Sequence, residues 1–373
     1  MPSLSQVPDQ EYEVTPLELF FDLVFVFAVS QLSHYLLEHL TWRGAAETLV
    51  LLVAVFGVWS YTSFEATLLQ VGWSHPGWMM LAVMVVGLFM NAAIDRAFDA
   101  GGVAFVVPLL VIQVGRPLYT IATAPTRTLR EHYAIMLGWI VASAPLWIAG
   151  AMSAPETRLF WWGLAAILDL VGTWLAHPMP GRVLQSENME FDADHMLERC
   201  RLFLIIALGE TVLATGLAIA AAPITLMTVV TGTVALTGTV ALWMLGFGRA
   251  VRLTQQHLEE TRNPIRASRY AVNALIGMVA GLIAVAVANE LVITHPQEHA
   301  SVTLALLLCG GPILYLLAQG WYLRAVPGVR PRLQLLGSAA LVFVGLATLT
   351  VPPYVGLILV GLSLTILAAL DKR

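Results

Sequence analysis

LELFFDLVFVFAVSQLSHYLL, residues 17–37, sets the terms for the rest of the chain. Coiled as an α-helix, a stretch of this length covers about 30 Å, the depth of a bilayer's hydrocarbon core. Its apolar residues run back to back without the alternation of a barrel strand. Eleven further apolar blocks follow, at 45–69, 78–97, 101–124, 131–152, 157–176, 196–221, 224–248, 269–293, 301–323, 333–350 and 352–370. An open sheet cannot satisfy its backbone in hydrocarbon, so each block reads as a helix. The sequence thus predicts an all-α polytopic membrane protein of about twelve transmembrane helices.

Composition agrees. Of 373 residues, 58% are hydrophobic and 12% charged, with a mean hydropathy of +0.79. Soluble domains carry about a quarter charged residues. The formal charge of −5, with no basic tract, argues against a nucleic-acid partner. The expected partners are membrane lipids and a small-molecule substrate of unknown identity; the oligomeric state stays open. The first residues lack a basic segment of the kind that opens a cleavable signal peptide.

Of the 19 Lys and Arg, 15 fall on the side that would hold both termini, among them Arg182, Arg252, Arg262 and Arg266. Arg43, Arg96 and Arg158 fall on the other side, and Arg116 lies within a span. This asymmetry predicts a multi-pass protein of the cytoplasmic membrane with both termini in the cytoplasm.

The chain also echoes itself. ELFFDLVFVFAVSQLS, from Glu18, and ERCRLFLIIALGETVL, from Glu198, both open on a Glu. Twelve residues on, Ser30-Gln31 matches Glu210-Thr211. Trp59 and Phe64 correspond to Trp243 and Phe247, and Asn91 to Asn289. Six spans per half would form a parallel six-plus-six repeat: residues 1–176, a cytoplasmic linker at 177–195, and residues 196–373.

Ionisable groups inside a membrane cost at least about 2.5 kcal/mol each, so each is a candidate site residue. Glu18 and Asp22 share one helix face, and Glu65, Arg116 and Asp169 are expected in the same cytoplasmic half as that pair. Four carboxylates around one guanidinium would require a bound cation or proton, or else form an Arg–carboxylate clamp between helices. In the seventh block Arg199 and Glu210 lie about 16 Å apart along the axis, so Glu210 needs a partner on another helix. Asn91 with Asp95, and Asn289 with Glu290, are secondary candidates near outer helix ends. No cofactor or metal is expected: the GxSxG, GxGxxG, Walker and HExxH patterns are absent, and an Asp before the seventh block reads as a helix cap. Gly277 and Gly281 read as a seam for close helix packing.

The stretches 18–36 and 195–216 resemble the two signatures of the bacterial low temperature requirement protein A family. The resemblance marks Glu18, Phe21, Asp22, Glu198, Arg199, Gly209 and Glu210 as motif positions, and departs from the usual pattern at Cys200-Arg201. It implies no settled biochemical activity. The residues themselves point to a secondary transporter, proton-coupled or not, using buried carboxylates. The alternative is a membrane-embedded enzyme or binding protein acting on a lipid or isoprenoid, with Asp22 and Glu210 as acid and base.

Overall fold

The computed structural model describes residues 14–70, 76–175, 177–178, 191–248, 264–299, 301–324 and 330–371. Arg182, Arg252 and Arg262, and most of the expected linker, lie outside the described residues. Twelve α-helices follow one another among those described: α1 Pro16–Glu38, α2 Trp42–Gln70, α3 Pro76–Ala92, α4 Gly102–Thr123, α5 Arg127–Met152, α6 Pro155–Trp174, α7 Ala193–Ala221, α8 Leu226–Gly246, α9 Pro264–Thr294, α10 Val302–Arg324, α11 Arg332–Thr348 and α12 Pro353–Asp371. Nine of them are long and apolar enough to cross a membrane; α3 and α11 are shorter, and α6 carries Glu156, Arg158 and Asp169.

Local chemistry sets the helix ends. Thr15 caps α1 in a capping box with Glu18, and Pro16 opens the first turn, where its missing N–H costs nothing. Asp192 caps α7 by accepting the backbone N–H of His195 at 2.9 Å, as the sequence predicts for an Asp there. The expected third span, 78–97, stops short: α3 ends at Ala92, and Ile94–Arg96 tighten into a 3-10 turn.

Within each half the helices pack in a corresponding order. α1 meets α2 and α3, α3 meets α4, α4 meets α5, α5 meets α6, and α6 closes against α2. In the second half α7 meets α8 and α9, α9 meets α10, α10 meets α11, α11 meets α12, and α12 closes against α8. The halves join through α1 and α2 on one side and α7 and α9 on the other.

Helices α1 and α7 run parallel. Asp22 pairs with Arg199 near the start of both, and farther along Ser30 hydrogen-bonds Glu210. A parallel pair requires an even number of chain reversals between them. The Trp59–Trp243 correspondence fails at the level of environment. Trp59 is fully buried, whereas Trp243 is about half exposed and stacks on Phe247. The reason is local: α7 carries Leu202 where α1 carries Asp22, so the second indole has no buried acceptor to seek.

Near the start of α6, Arg158 is buried and makes no ion pair among the described residues. Its guanidinium donates to the carbonyls of Ala97 at 2.8 Å, Gly150 at 3.0 Å and Ser153 at 3.2 Å, and also to Asp99 O. It ties the α3–α4 and α5–α6 connections together through four hydrogen bonds to main-chain oxygens. In the second half Gly277 and Gly281 form the expected seam, against α10. A Cβ on Gly277 would stand 2.8 Å from Ala318, and one on Gly281 2.6 Å from the carbonyl oxygen of Gly311. Two backbones touch there, which only small residues permit. Gly281→Val is expected to destabilise the protein by about 1–3 kcal/mol, read as a lower melting temperature in detergent, while Gly209→Val, at an open helix face, leaves it unchanged.

Candidate functional site

Two pairs with i, i+4 spacing face each other across the joint between the halves. Glu18 and Asp22 project from α1, and His195 and Arg199 project from the first turns of α7. Arg199 Nη2 donates to Asp22 Oδ1 at 2.7 Å, and its Nη1 lies 3.6 Å from Glu18 Oε1. His195 Nε2 lies 3.3 Å from Glu18 Oε2, and its Nδ1 lies 3.2 Å from the hydroxyl of Thr67 on α2. Trp59 donates its indole N–H to Asp22 Oδ1 at 2.7 Å. Phe21, the motif aromatic, lies beneath the Arg199 guanidinium at 5.4 Å. All four ionisable side chains are buried.

The directions of these bonds constrain charge. Thr67 gives its hydroxyl proton to Ser63 O at 3.0 Å, and an ionised Glu18 only accepts. When His195 carries its second proton, both ring nitrogens donate, and two cations balance two carboxylates. The cluster is still incompletely bonded: Asp22 Oδ2 and Arg199 Nε and Nη1 have no hydrogen-bond partner.

A second cluster lies wholly within the first half. Arg116 on α4 donates to Glu65 Oε2 at 2.5 Å and to Tyr61 O at 3.2 Å, both on α2. Thr120 donates to the other oxygen of Glu65. The expectation of four carboxylates around one guanidinium is therefore corrected. Arg116 serves Glu65 alone, Arg199 reaches across from the other half to Glu18 and Asp22, and Asp169 belongs to neither. Asp169 accepts from the indole of Trp147 on α5 at 3.0 Å. Below it Tyr61 OH joins Thr173 at 2.6 Å to His177 at 3.1 Å. His177 holds a left-handed backbone, φ 52°, and burial, reinforced by nearby His132 and Arg116, lowers its pKa to about 3.

Glu210 finds its partner on α1, at Ser30, with His34 nearby. Asn91 Nδ2 donates to Val24 O at 2.7 Å, and Asn289 Nδ2 to Thr215 at 3.4 Å; each ties the third helix of its half to the first. Asp95 is exposed on the 3-10 turn and no longer shares a helix with Asn91, and Glu290 is half-buried. Glu198 pairs with Arg201 at 2.7 Å near the surface, and Gly209 faces outward. Arg201 and Glu198 also rim an apolar cavity of about 100 Å³, floored by Leu204, Ala274, Leu275 and Met278 among α7, α9 and α10.

Sequence reasoning missed His195 and Trp59 as members of the first cluster. The available signal was pairwise: acids at i and i+4 opening one signature helix, cations at i and i+4 opening the other.

Long apolar helices that enclose the Arg116–Glu65 and Arg199–Asp22 pairs between them define an integral membrane protein of the multi-pass helical class. The chain matches the family described as bacterial low temperature requirement A protein (LtrA) over residues 13–369, and it belongs to that family. It is 30% identical over 344 residues to "Uncharacterized protein RA0937" of Rhizobium meliloti (strain 1021), covering 91% of this chain and 83% of that protein. No solved structure matches the chain.

Removing Arg199 alone strands two buried carboxylates. Arg199→Ala is expected to cost about 3–5 kcal/mol, seen as loss of monodisperse protein in detergent. The joint change Glu18→Gln, Asp22→Asn and Arg199→Met should restore most of the melting temperature, because no unpaired charge remains.

Proposed function

We propose that the protein is a secondary transporter whose two six-helix halves form a parallel repeat, with twelve crossings and both termini in the cytoplasm. The observation that carries this reading is the joint itself. Two halves of corresponding packing order meet along parallel helices, and Glu210 sits on that seam facing Ser30, the position that matches it in the other half. Repeats related in this way supply the two bodies that alternating access needs, with the site between them. Glu210 is buried on the seam in the middle stretch of α7, and no Arg or Lys pairs with it among the described residues. It is the group we assign to proton coupling. The Glu18–Asp22–Arg199–His195 cluster closes the same seam at the end nearer the helix starts, where relative movement of the halves would break or re-form it.

The test is reconstitution into liposomes under a pH gradient, with internal pH followed as candidate solutes are added one class at a time. Wild type should dissipate the gradient with one solute class. Glu210→Gln should lose that response at least tenfold while staying folded, and Asp95→Asn should keep it. A response that Glu210→Gln leaves intact would sink the assignment of the coupling acid.

A second reading has one observation in its favour, the apolar cavity with its Glu198–Arg201 rim. Its shape and lining suit an acyl or isoprenoid chain with a polar head, as in a lipid-binding protein or an enzyme acting on lipid. Native mass spectrometry of the purified protein separates the two: a bound lipid that Ala274→Trp expels supports this reading, and its absence from wild type removes it.

A further inference from the structure

Helices α2, α4, α6 and α9 leave a second cavity between them, about 30 Å³, on the seam between the halves. Its polar lining consists of Ser60, Tyr61, Gln113, Asp169, Thr173 and Asn273. A space of this size takes one small ion or a water, and little else.

Gln113 is 4% exposed, and its side-chain oxygen has no hydrogen-bond partner. A buried carbonyl in that condition is an acceptor waiting for a donor or a cation. Four residues along the same helix stands Pro117, which has no N–H, so the main-chain carbonyl of Gln113 also lacks its helical donor. Interrupted helices of this kind expose the oxygens that coordinate cations inside transport proteins.

Asp169 adds the charge. Trp147 hydrogen-bonds its carboxylate at 3.0 Å, but among the described residues no Arg, Lys or His forms an ion pair with it. Arg116 is engaged with Glu65, and Arg199 with Glu18 and Asp22. His177 stands against Tyr61 and does not reach the carboxylate.

We infer that this cavity binds one sodium-sized monovalent cation through Asp169, Gln113 and the surrounding hydroxyls. The donors are all hard oxygens, which select a hard cation over a transition metal. A single carboxylate neutralises a single positive charge, which favours a monovalent over a divalent ion here. The site is distinct from Glu210, and binding here does not depend on the transport reading.

The test is thermal unfolding of the full-length protein in detergent, in sodium chloride against choline chloride at equal ionic strength and constant pH. Sodium should raise the melting temperature saturably, by about 2–4 °C. Asp169→Asn should abolish the rise and Gln113→Leu should shift its midpoint to higher sodium. Equal melting in both salts would overturn the site, as would a sodium response that survives in Asp169→Asn. If Asp169→Asn fails to fold, binding of radioactive sodium to wild type decides: one ion per chain, weakened in Ser60→Ala, supports the site, and no saturable binding overturns it. Loss of the transport reading would leave these binding curves where they are.

Discussion

A guanidinium buried in hydrocarbon must find acids or carbonyls to hold its charge, and the packing of this molecule follows from how that constraint is met at Arg199. The side chain leaves α7 in the second half and finds Asp22 and Glu18 in the first, where Trp59 and His195 complete the ring of partners. Because both helices open with their pairs four residues apart, the contact fixes parallel direction and axial register together. Apolar packing in a bilayer is weakly directional, since lipid tails compete for every surface. Charge is what makes one arrangement of α1 against α7 cheaper than its neighbours.

The remaining ionisable residues obey the same rule on a smaller scale. Arg116 and Glu65 hold α4 to α2, and Arg158 gathers main-chain carbonyls at the start of α6. The second half achieves the corresponding α10–α8 link without charge, through Tyr315 to Leu242 O at 3.1 Å and Gln319 to Leu245 O at 2.6 Å. The two halves therefore share a packing order while differing in chemistry. The first carries the Arg116–Glu65 pair within itself, and the second carries the backbone-to-backbone seam at Gly281 and the apolar cavity.

Against this background the carboxylates divide by partner. Glu18, Asp22 and Glu65 are paired with cations and act between helices. Glu210 and Asp169 have no Arg or Lys beside them among the described residues, and both lie on the seam between the halves. Paired acids hold structure; acids left with hydroxyls and indoles as partners are free to exchange a proton or meet an ion. That division underlies both the transport reading and the cation site.

The sequence by itself determined the helical class, because a succession of apolar blocks, most of them of bilayer length, leaves the backbone no other way to satisfy itself. The same reading gave the two signature segments, the Asp before α7 as its cap, and the close packing at Gly277 and Gly281, all of which rest on spacing along one helix. Tertiary structure alone decided who pairs with whom. Arg116 and Arg199 are each compatible with any of four acids in a one-dimensional reading, since helix period reports a face and says nothing of the helix opposite. Trp59 and Trp243 look equivalent along the chain, yet only one has an acid across from it. The early end of α3 and the exposure of Asp95 likewise follow from a tightened turn, pinned by an arginine from a helix two elements away.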